Sequence, residues 1–414
     1  MSKGQRKQPK IRFDEGLKQI RHDAAGLDVG ASEVWVDVGV ENDADPVRRF
    51  ETFTADLNAM ADWLKSCHIT TVAMESTGVY WIPVVQILEA NGIEAILVNA
   101  AHVKNVSGRK TDSLDCQWLR TLHCYALLAA SFRPAKDIVV LRSYMRHRQM
   151  LIESAAAHVQ HMQKAMTQMN LQLQHVISDI TGATGMRIIR AIVAGQRDRQ
   201  QLAAMRDIRT KADEQTIAKA LEGDYRPQHV FALQQSLELF DFYQKQIGET
   251  DRQIADHLRR MESKVEHSQE SLGPARRKSR KRRNHPQMNV REEAFRISGV
   301  DLTEIDSINE SAALSLIAEI GVDMSPWRTE KHFVSWLALC PNNKISGGKV
   351  LLRRTRKSAS RARDILLLQN SVPVLLRVFE SHCDQSQCVG NRLGATLFFY
   401  LFEPFLYHIS QPFR

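Results

Sequence analysis

The sequence predicts an α/β domain at its N-terminal end followed by a mainly helical remainder. Two observations carry this. Short apolar runs of strand character alternate with helix-like runs up to about residue 135, and beyond Pro134 apolar residues recur at spacings of three and four over long stretches. At 414 residues the chain is too long for one simple core, so two or three domains are expected. Composition and breakers suggest a loose tail over 1–23, the α/β domain over 24–135 and a helical, coiled-coil-like region over 136–272. A basic linker over 273–287 and a C-terminal domain over 288–414 follow.

Met1 to Arg21 is polar and basic with no apolar core, so it reads as neither a signal peptide nor an anchor. Gly26 to Gly30 leads into the alternating Glu33 to Val40, a strand hairpin with Asp28 on its first strand. Thr70 to Met74 reads as a buried strand that delivers Glu75 at its C-terminal end, before the turn Ser76-Thr77-Gly78. Strand ends in such sheets face ligand crevices. A helix from about Val79 to Asn91 and a strand Glu94 to Val98 complete the alternation.

Next comes Gly108-Arg109-Lys110-Thr111-Asp112-Ser113-Leu114-Asp115-Cys116-Gln117-Trp118-Leu119. If it opens a helix, Asp112 and Asp115 share one helical face a turn apart. Like charges that close repel, and a hard divalent cation between them relieves the repulsion. A solvated helix start with Thr111 as N-cap accounts for the same residues. Asp28, Glu75, Asp112 and Asp115, on two strands and a following helix, can converge on one or two Mg²⁺ ions. That is apparatus for phosphodiester chemistry.

Pro134 breaks the helix that carries Leu119 to Leu128. Leu141 to Ile180 contains no Pro or Gly, and Val159, Met162, Met166, Met169, Leu173, Val176 and Ile180 form a heptad seam suited to a coiled coil or a long helical hairpin. Gly182 and Gly185 interrupt it, as a phosphate-holding turn or as a corner between packed helices. A second seam runs Leu233, Leu237, Phe240, Ile247, Ile254, Leu258, Met261, with Gln244 and Asp251 as polar breaks. Two seams can pair with each other or with a second copy.

The linker concentrates Arg276, Arg277, Lys278, Arg280, Lys281, Arg282 and Arg283. It reads either as a solvated hinge or as a sequence-blind contact to nucleic-acid phosphates. Beyond it, Ser311 to Ile320 reads as a helix with Gly321 at its C-cap, and about Thr329 to Leu339 as a helix with Phe333, Trp336 and Leu337 on one face. Ser346-Gly347-Gly348 follows; alone, it is a flexible turn that brings a hydroxyl near a large substrate. Lys349, Arg353, Arg354, Arg356 and Lys357, with Arg361 and Arg363 beyond, supply cations able to hold a phosphate.

Lys plus Arg exceed Asp plus Glu by 56 to 47, a net charge of +9, which suggests a polyanionic partner. The six cysteines, at 67, 116, 124, 340, 383 and 388, form no Cys-x-x-Cys pair, against both a disulfide framework and structural zinc. A reducing cytoplasm fits. The longest apolar run, Thr396 to Phe402, is far too short to span a membrane.

The order Asp, Glu, Asp-x-x-Asp, the segment Glu75-Ser76-Thr77-Gly78-Val79-Tyr80 and the Gly108 to Leu119 stretch resemble the DEDD transposases of the insertion-sequence one-ten family, most closely its eleven-eleven branch. The resemblance implies a RuvC-like, ribonuclease H type N-terminal domain in which Asp28, Glu75, Asp112 and Asp115 bind Mg²⁺. It implies a C-terminal transposase domain with a helix-hairpin-helix-like element and Ser346 as nucleophile. It also implies element-end and target DNA as substrates, and a structured noncoding guide RNA of the bridge type. A homodimer or homotetramer would share the acids and the serine between subunits, in the bacterial cytoplasm and on the nucleoid when bound. Lys110 and the basic residues named above would contact nucleic acid. Two rivals remain: a hydrolytic Holliday-junction resolvase-like nuclease, and a non-catalytic nucleic-acid-binding remnant of a transposase. Beyond about Asp364 the residues depart from the family pattern.

Overall fold

In a computed structural model of the chain, residues 18–76, 78–99, 112–265, 272–274, 284–305, 308–339, 344–347, 349–352 and 360–368 are described, with the side chains of 112–114, 330, 344, 345, 350, 352 and 368 outside that description. The chain divides into two compact units between Arg133 and Pro134.

In the first unit, strands β1 (Ala24–Val29), β2 (Glu33–Asp37), β3 (Val47–Glu51), β4 (Thr71–Glu75) and β5 (Glu94–Val98) form one sheet in the order β3-β2-β1-β4-β5. The β1-β2-β3 half is antiparallel and the β1-β4-β5 half parallel. The expected hairpin, buried strand, helix and final strand are all present, the helix as α2 (Trp81–Ala90). Strand β3 and helix α1 (Thr54–Ser66) are additions to the expected elements. Composition hides β3: it is an edge strand carrying Arg48, Arg49 and Glu51, the charged pattern by which edges resist further pairing.

Alternation along each strand sorts the two faces of the sheet. Ala25, Leu27, Val34, Val36, Val72, Met74 and Leu97 form a core with Leu57, Met60 and Leu64 of α1 and Val84, Val85 and Leu88 of α2. On the opposite face Ile96 and Val98 pack with Trp118, Leu119 and Leu122 of helix α3 (Asp112–Cys124). Residues just before β1 are tied to that helix, since Ile20 N and Arg21 N donate to Cys124 O at 2.9 and 3.0 Å.

The second unit is built on two long helices, α4 (Lys136–Gln168) and α9 (Pro227–Arg260). His257 meets Asp137 O at 2.8 Å, Arg148 pairs with Asp251, and the His158 and Tyr243 rings stack at 5.5 Å. Numbers rise on one helix as they fall on the other, so the pair is antiparallel. The two seams thus meet within one chain. The expected uninterrupted run to Ile180 is corrected: α4 stops at Gln168, Asn170 takes φ +57°, and the chain turns. The later seam residues join one cluster in which Met162 and Met166 of α4 and Leu233, Leu237 and Phe240 of α9 pack with the short helices α5 (Leu173–Val176), α6 (Ala183–Val193), α7 (Arg199–Ala204) and α8 (Glu214–Ala220). Seam spacing survives the turn because that cluster needs apolar residues as much as a long helix would.

At the glycine interruption the corner reading is the one supported. A Cβ on Gly185 would stand 2.0 Å from Ile180 O, so α6 packs directly on the preceding backbone.

Beyond the linker come α10 (Val290–Ser298), capped by Gly299 at φ +77°, a 3₁₀ turn at Leu302–Glu304, and α11 (Glu310–Ile320), with Gly321 at φ +86°. Arg142 of α4 donates to Ala318 O and Glu319 O, satisfying carbonyls that the end of α11 leaves free. At helix α12 (Glu330–Trp336), Phe333 and the C-cap Leu337 are buried, and Trp336 stacks on Phe333 and meets Trp327 at a tilt. The hairpin β6 (Lys344–Ser346) and β7 (Lys349–Leu352) and helix α13 (Arg361–Leu368) complete the described part. No helix among the described residues is long and apolar enough to cross a membrane.

Candidate active site at the strand ends

Strands β1 and β4 pair in parallel, Gly26 opposite Ala73 and Leu27 opposite Met74. Asp28 and Glu75 are the next residues on their strands. Each lies two residues beyond the Gly26/Ala73 pair and therefore on the same face as it. Both are half-buried.

That face is the one covered by α3. A Cβ on Gly26 would stand 2.1 Å from Cys116 O and 2.3 Å from Arg120 N, so helix backbone lies directly on strand backbone. At the start of β4, Thr71 Oγ1 meets His123 Nε2 at 3.0 Å, near the other end of the helix. Helix α3 thus runs against the strands, and its N-terminal residues lie toward the strand C-terminal ends, where Asp28 and Glu75 stand. Asp115 immediately precedes Cys116 and is half-buried. Asp112 is the first residue of α3; its side chain lies outside the described residues.

Electrostatics agrees with that placement. The Cys116 thiol is pushed up to about 12, by burial first, with the Asp37 and Asp28 carboxylates adding to the shift. Asp28 is therefore within electrostatic reach of the residue next to Asp115. Arg120 locks the helix laterally, donating from Nε to Asp37 Oδ2 at 2.7 Å and from Nη1 to Glu41 at 2.8 Å. Gly26, Asp37 and Arg120 are positioning residues that sequence reasoning misses. A glycine inside an alternating strand is the available signal, since it marks close backbone approach.

Carboxylate oxygens on one half-buried face are the donor chemistry of a hard divalent cation. Among the described residues no three His, Cys, Asp or Glu side chains are gathered as a metal-binding group.

Ser346 belongs to the second unit. It ends β6, is exposed, and pairs with Lys349, which is also exposed, across a two-residue connection in which Gly347 takes φ +54°. The expected flexible turn is a hairpin. Lys110, Arg276 to Arg283, and Arg353, Arg354, Arg356 and Lys357 lie outside the described residues.

Two family models match this chain. Residues 25–171 match the DEDD transposase of the IS110 family, and residues 301–374 match the transposase family IS116/IS110/IS902. The chain carries IS110-family transposase domains. The first spans the sheet, α3 with its aspartates, and α4; the second begins at the 3₁₀ turn and includes Ser346. These domains belong to an enzyme that acts on DNA in the transposition of an insertion sequence. No curated protein matches the chain.

Proposed function

We propose that the chain is a recombinase that excises and inserts its own insertion sequence by Mg²⁺-dependent strand exchange, with a RuvC-like acid site and a serine nucleophile. One observation carries the reading. Helix α3 lies with its backbone on Gly26 and its His123 end on Thr71 at the start of β4, so its Asp112 and Asp115 end lies toward the strand ends that carry Asp28 and Glu75. Asp28, Glu75, Asp112 and Asp115 would hold the metal, which, when bound, supplies positive charge to the phosphate oxygens.

In this reading the Ser346 hydroxyl oxygen attacks phosphorus, forming a phosphoserine ester. The bond to one deoxyribose oxygen breaks, and that hydroxyl leaves carrying a proton equivalent to the one serine gave up. Attack by a second strand's hydroxyl reverses the step and frees the serine. The energy of the phosphodiester is held in the protein link, so rejoining needs no external source. Lys349 and the arginines after it would steady the phosphate. The family resemblance supports a noncoding guide RNA and a homodimer or homotetramer that combines acids and serine from different subunits. The basic run Arg276 to Arg283 would grip RNA or DNA backbone.

The test follows excision of the element from a plasmid. Asp28→Asn, Glu75→Gln and Asp115→Asn should each abolish Mg²⁺-dependent excision while circular dichroism and DNA binding stay unchanged. Full activity in both Asp112→Asn and Asp115→Asn would overturn the acid site.

A further inference from the structure

Directly after Glu75 the chain forms a small apolar knuckle that no core absorbs. Val79, Tyr80 and Ile82 are 64%, 48% and 39% exposed, although they precede or open a helix whose Val84, Val85 and Leu88 are fully buried. Their backbone is nonetheless well fixed. Gly78 takes φ +63°, Trp81 Nε1 donates to Gly78 O at 3.2 Å, and Ile82 N donates to Val79 O at 3.2 Å. The Tyr80 ring lies 3.6 Å from where a Gly78 Cβ would be, so one edge of the ring rests on bare backbone. The Arg133 guanidinium sits 5.9 Å over the Trp81 ring and also pairs with Glu89, bracing the base of the knuckle.

A half-exposed aromatic ring on a well-fixed backbone offers one face for stacking. The patch is about three side chains wide, whereas a protein interface takes roughly 20–30 residues a side. Its size is that of one or two nucleobases, and it lies five residues from an acid of the site proposed for DNA. Stacking of a base on an aromatic side chain is sequence-tolerant, because every base offers a π-face.

We propose that Tyr80, flanked by Val79, stacks on an unstacked nucleobase beside the phosphodiester held at the strand ends. This rests on the acid-site reading, which places DNA there. Stacking would pull one base out of line and hold the adjoining phosphate still.

The experiment uses the full chain and oligonucleotides carrying 2-aminopurine, single-stranded and in duplexes with a one-base gap, with Ca²⁺ in place of Mg²⁺. Binding should quench the fluorescence. Tyr80→Ala should abolish the quenching and weaken binding by about tenfold, whereas Tyr80→Phe and Tyr80→Trp should keep both. If Asp28→Asn and Glu75→Gln excise normally while quenching still depends on Tyr80, the acid-site reading fails and the stacking contact stands. Equal quenching by wild type and Tyr80→Ala overturns the proposal, and a Tyr80→Ala variant that instead changes sedimentation behaviour assigns the knuckle to a contact between protein chains.

Discussion

Thr71 Oγ1 and His123 Nε2 meet at 3.0 Å in the buried seam between β4 and α3, and this contact fixes the end of the helix remote from the acids. His123 is 2% exposed, and its pKa is lowered to about 4, by burial first and by Arg21 second, with Glu94 and Asp23 opposing. The imidazole is therefore neutral in the folded chain at neutral pH.

The consequence is a pH dependence of defined sign. Between pH 6.5 and about 4 the unfolded chain binds a proton at His123 that the folded chain refuses, so stability falls as pH drops through that window and levels off below it. Above pH 6.5 the contribution is complete. At 1.36 kcal/mol per unit the loss is at most about 3 kcal/mol. Urea unfolding of wild type at pH 7 and pH 4.5, set against His123→Gln, measures it. The variant should lose most of the difference, and an unchanged difference would place the titrating group elsewhere.

Gly26→Ala, unlike the acid variants, should damage fold and activity together. The new methyl would meet Cys116 O and Arg120 N, both backbone atoms, so no side chain can swing aside and α3 must lift from β1. A loss of about 1–3 kcal/mol is expected, as for overpacking of a tight core, together with loss of excision. Gly248→Ala on α9 is the contrast. Its nearest neighbour there is the Gln287 side chain at 3.8 Å, so the change should stabilise the helix by about 0.5–1 kcal/mol. Equal effects at the two positions would remove Gly26 from its positioning role.

The difference between these glycines also shows how far the residues alone disclose the fold. Asp28, Glu75 and the two helix aspartates stand out as acids on two strands and at a spacing of three, a pattern that a shared cation explains and that, for the helix pair, a solvated helix start explains as well. The backbone contact at Gly26 is hidden because it is made by absence of a side chain, and Arg120 because its partner Asp37 lies 83 positions away. In the second unit the heptad seams indicate the long helices, but not the stop at Gln168. Apolar spacing is blind to a turn when both sides of it are buried. Asp251 looks like a break in its seam, yet it is buried against Arg148, a pairing between two helices that periodicity within one cannot register.

That pair yields its own expectation. Arg148 Nε lies 2.5 Å from Asp251 Oδ1, Arg148 also donates to Asn284 O, and Asp251 accepts from Gln287 N, so the pair pins the chain just where the basic run ends. Removing one partner leaves a buried charge. Arg148→Met should cost about 3–5 kcal/mol, and the double variant Arg148→Met with Asp251→Leu should recover much of it. A double-mutant cycle by urea unfolding reads the coupling, and additive single effects would show that the two charges act independently.

Charge alone carries the expectation for the basic run. Replacing four of Arg276, Arg277, Arg280, Arg282 and Arg283 by Gln should weaken DNA and RNA binding across sequences. It should also flatten the slope of log affinity against log salt by about 0.9 for each duplex phosphate that is no longer neutralised. Fluorescence titration from 50 to roughly 200 mM salt, the range over which phosphate neutralisation shows, suffices. A slope equal to wild type returns the segment to a hinge.

Ser346 bears the sharpest chemical claim. It ends β6 opposite Lys349, exposed beside a glycine at φ +54°. An ordinary serine hydroxyl is a weak nucleophile and needs a proton acceptor, a metal or a cationic clamp, and Lys349 is the described cation in register with it. Ser346→Ala should leave nucleic-acid binding nearly intact and remove cleavage. A hairpin residue of no chemical role would tolerate Ala with little loss, because the turn geometry rests on Gly347. Gly347→Val, which forces a branched side chain into φ +54°, should by contrast disturb the hairpin and reduce activity by misplacing the hydroxyl. Trapping with a nicked suicide DNA substrate and mass spectrometry decides the matter. A phosphoserine-linked DNA adduct at Ser346 is expected, whereas free ends, no adduct and activity surviving in Ser346→Ala would move the attack to water at the strand-end acids.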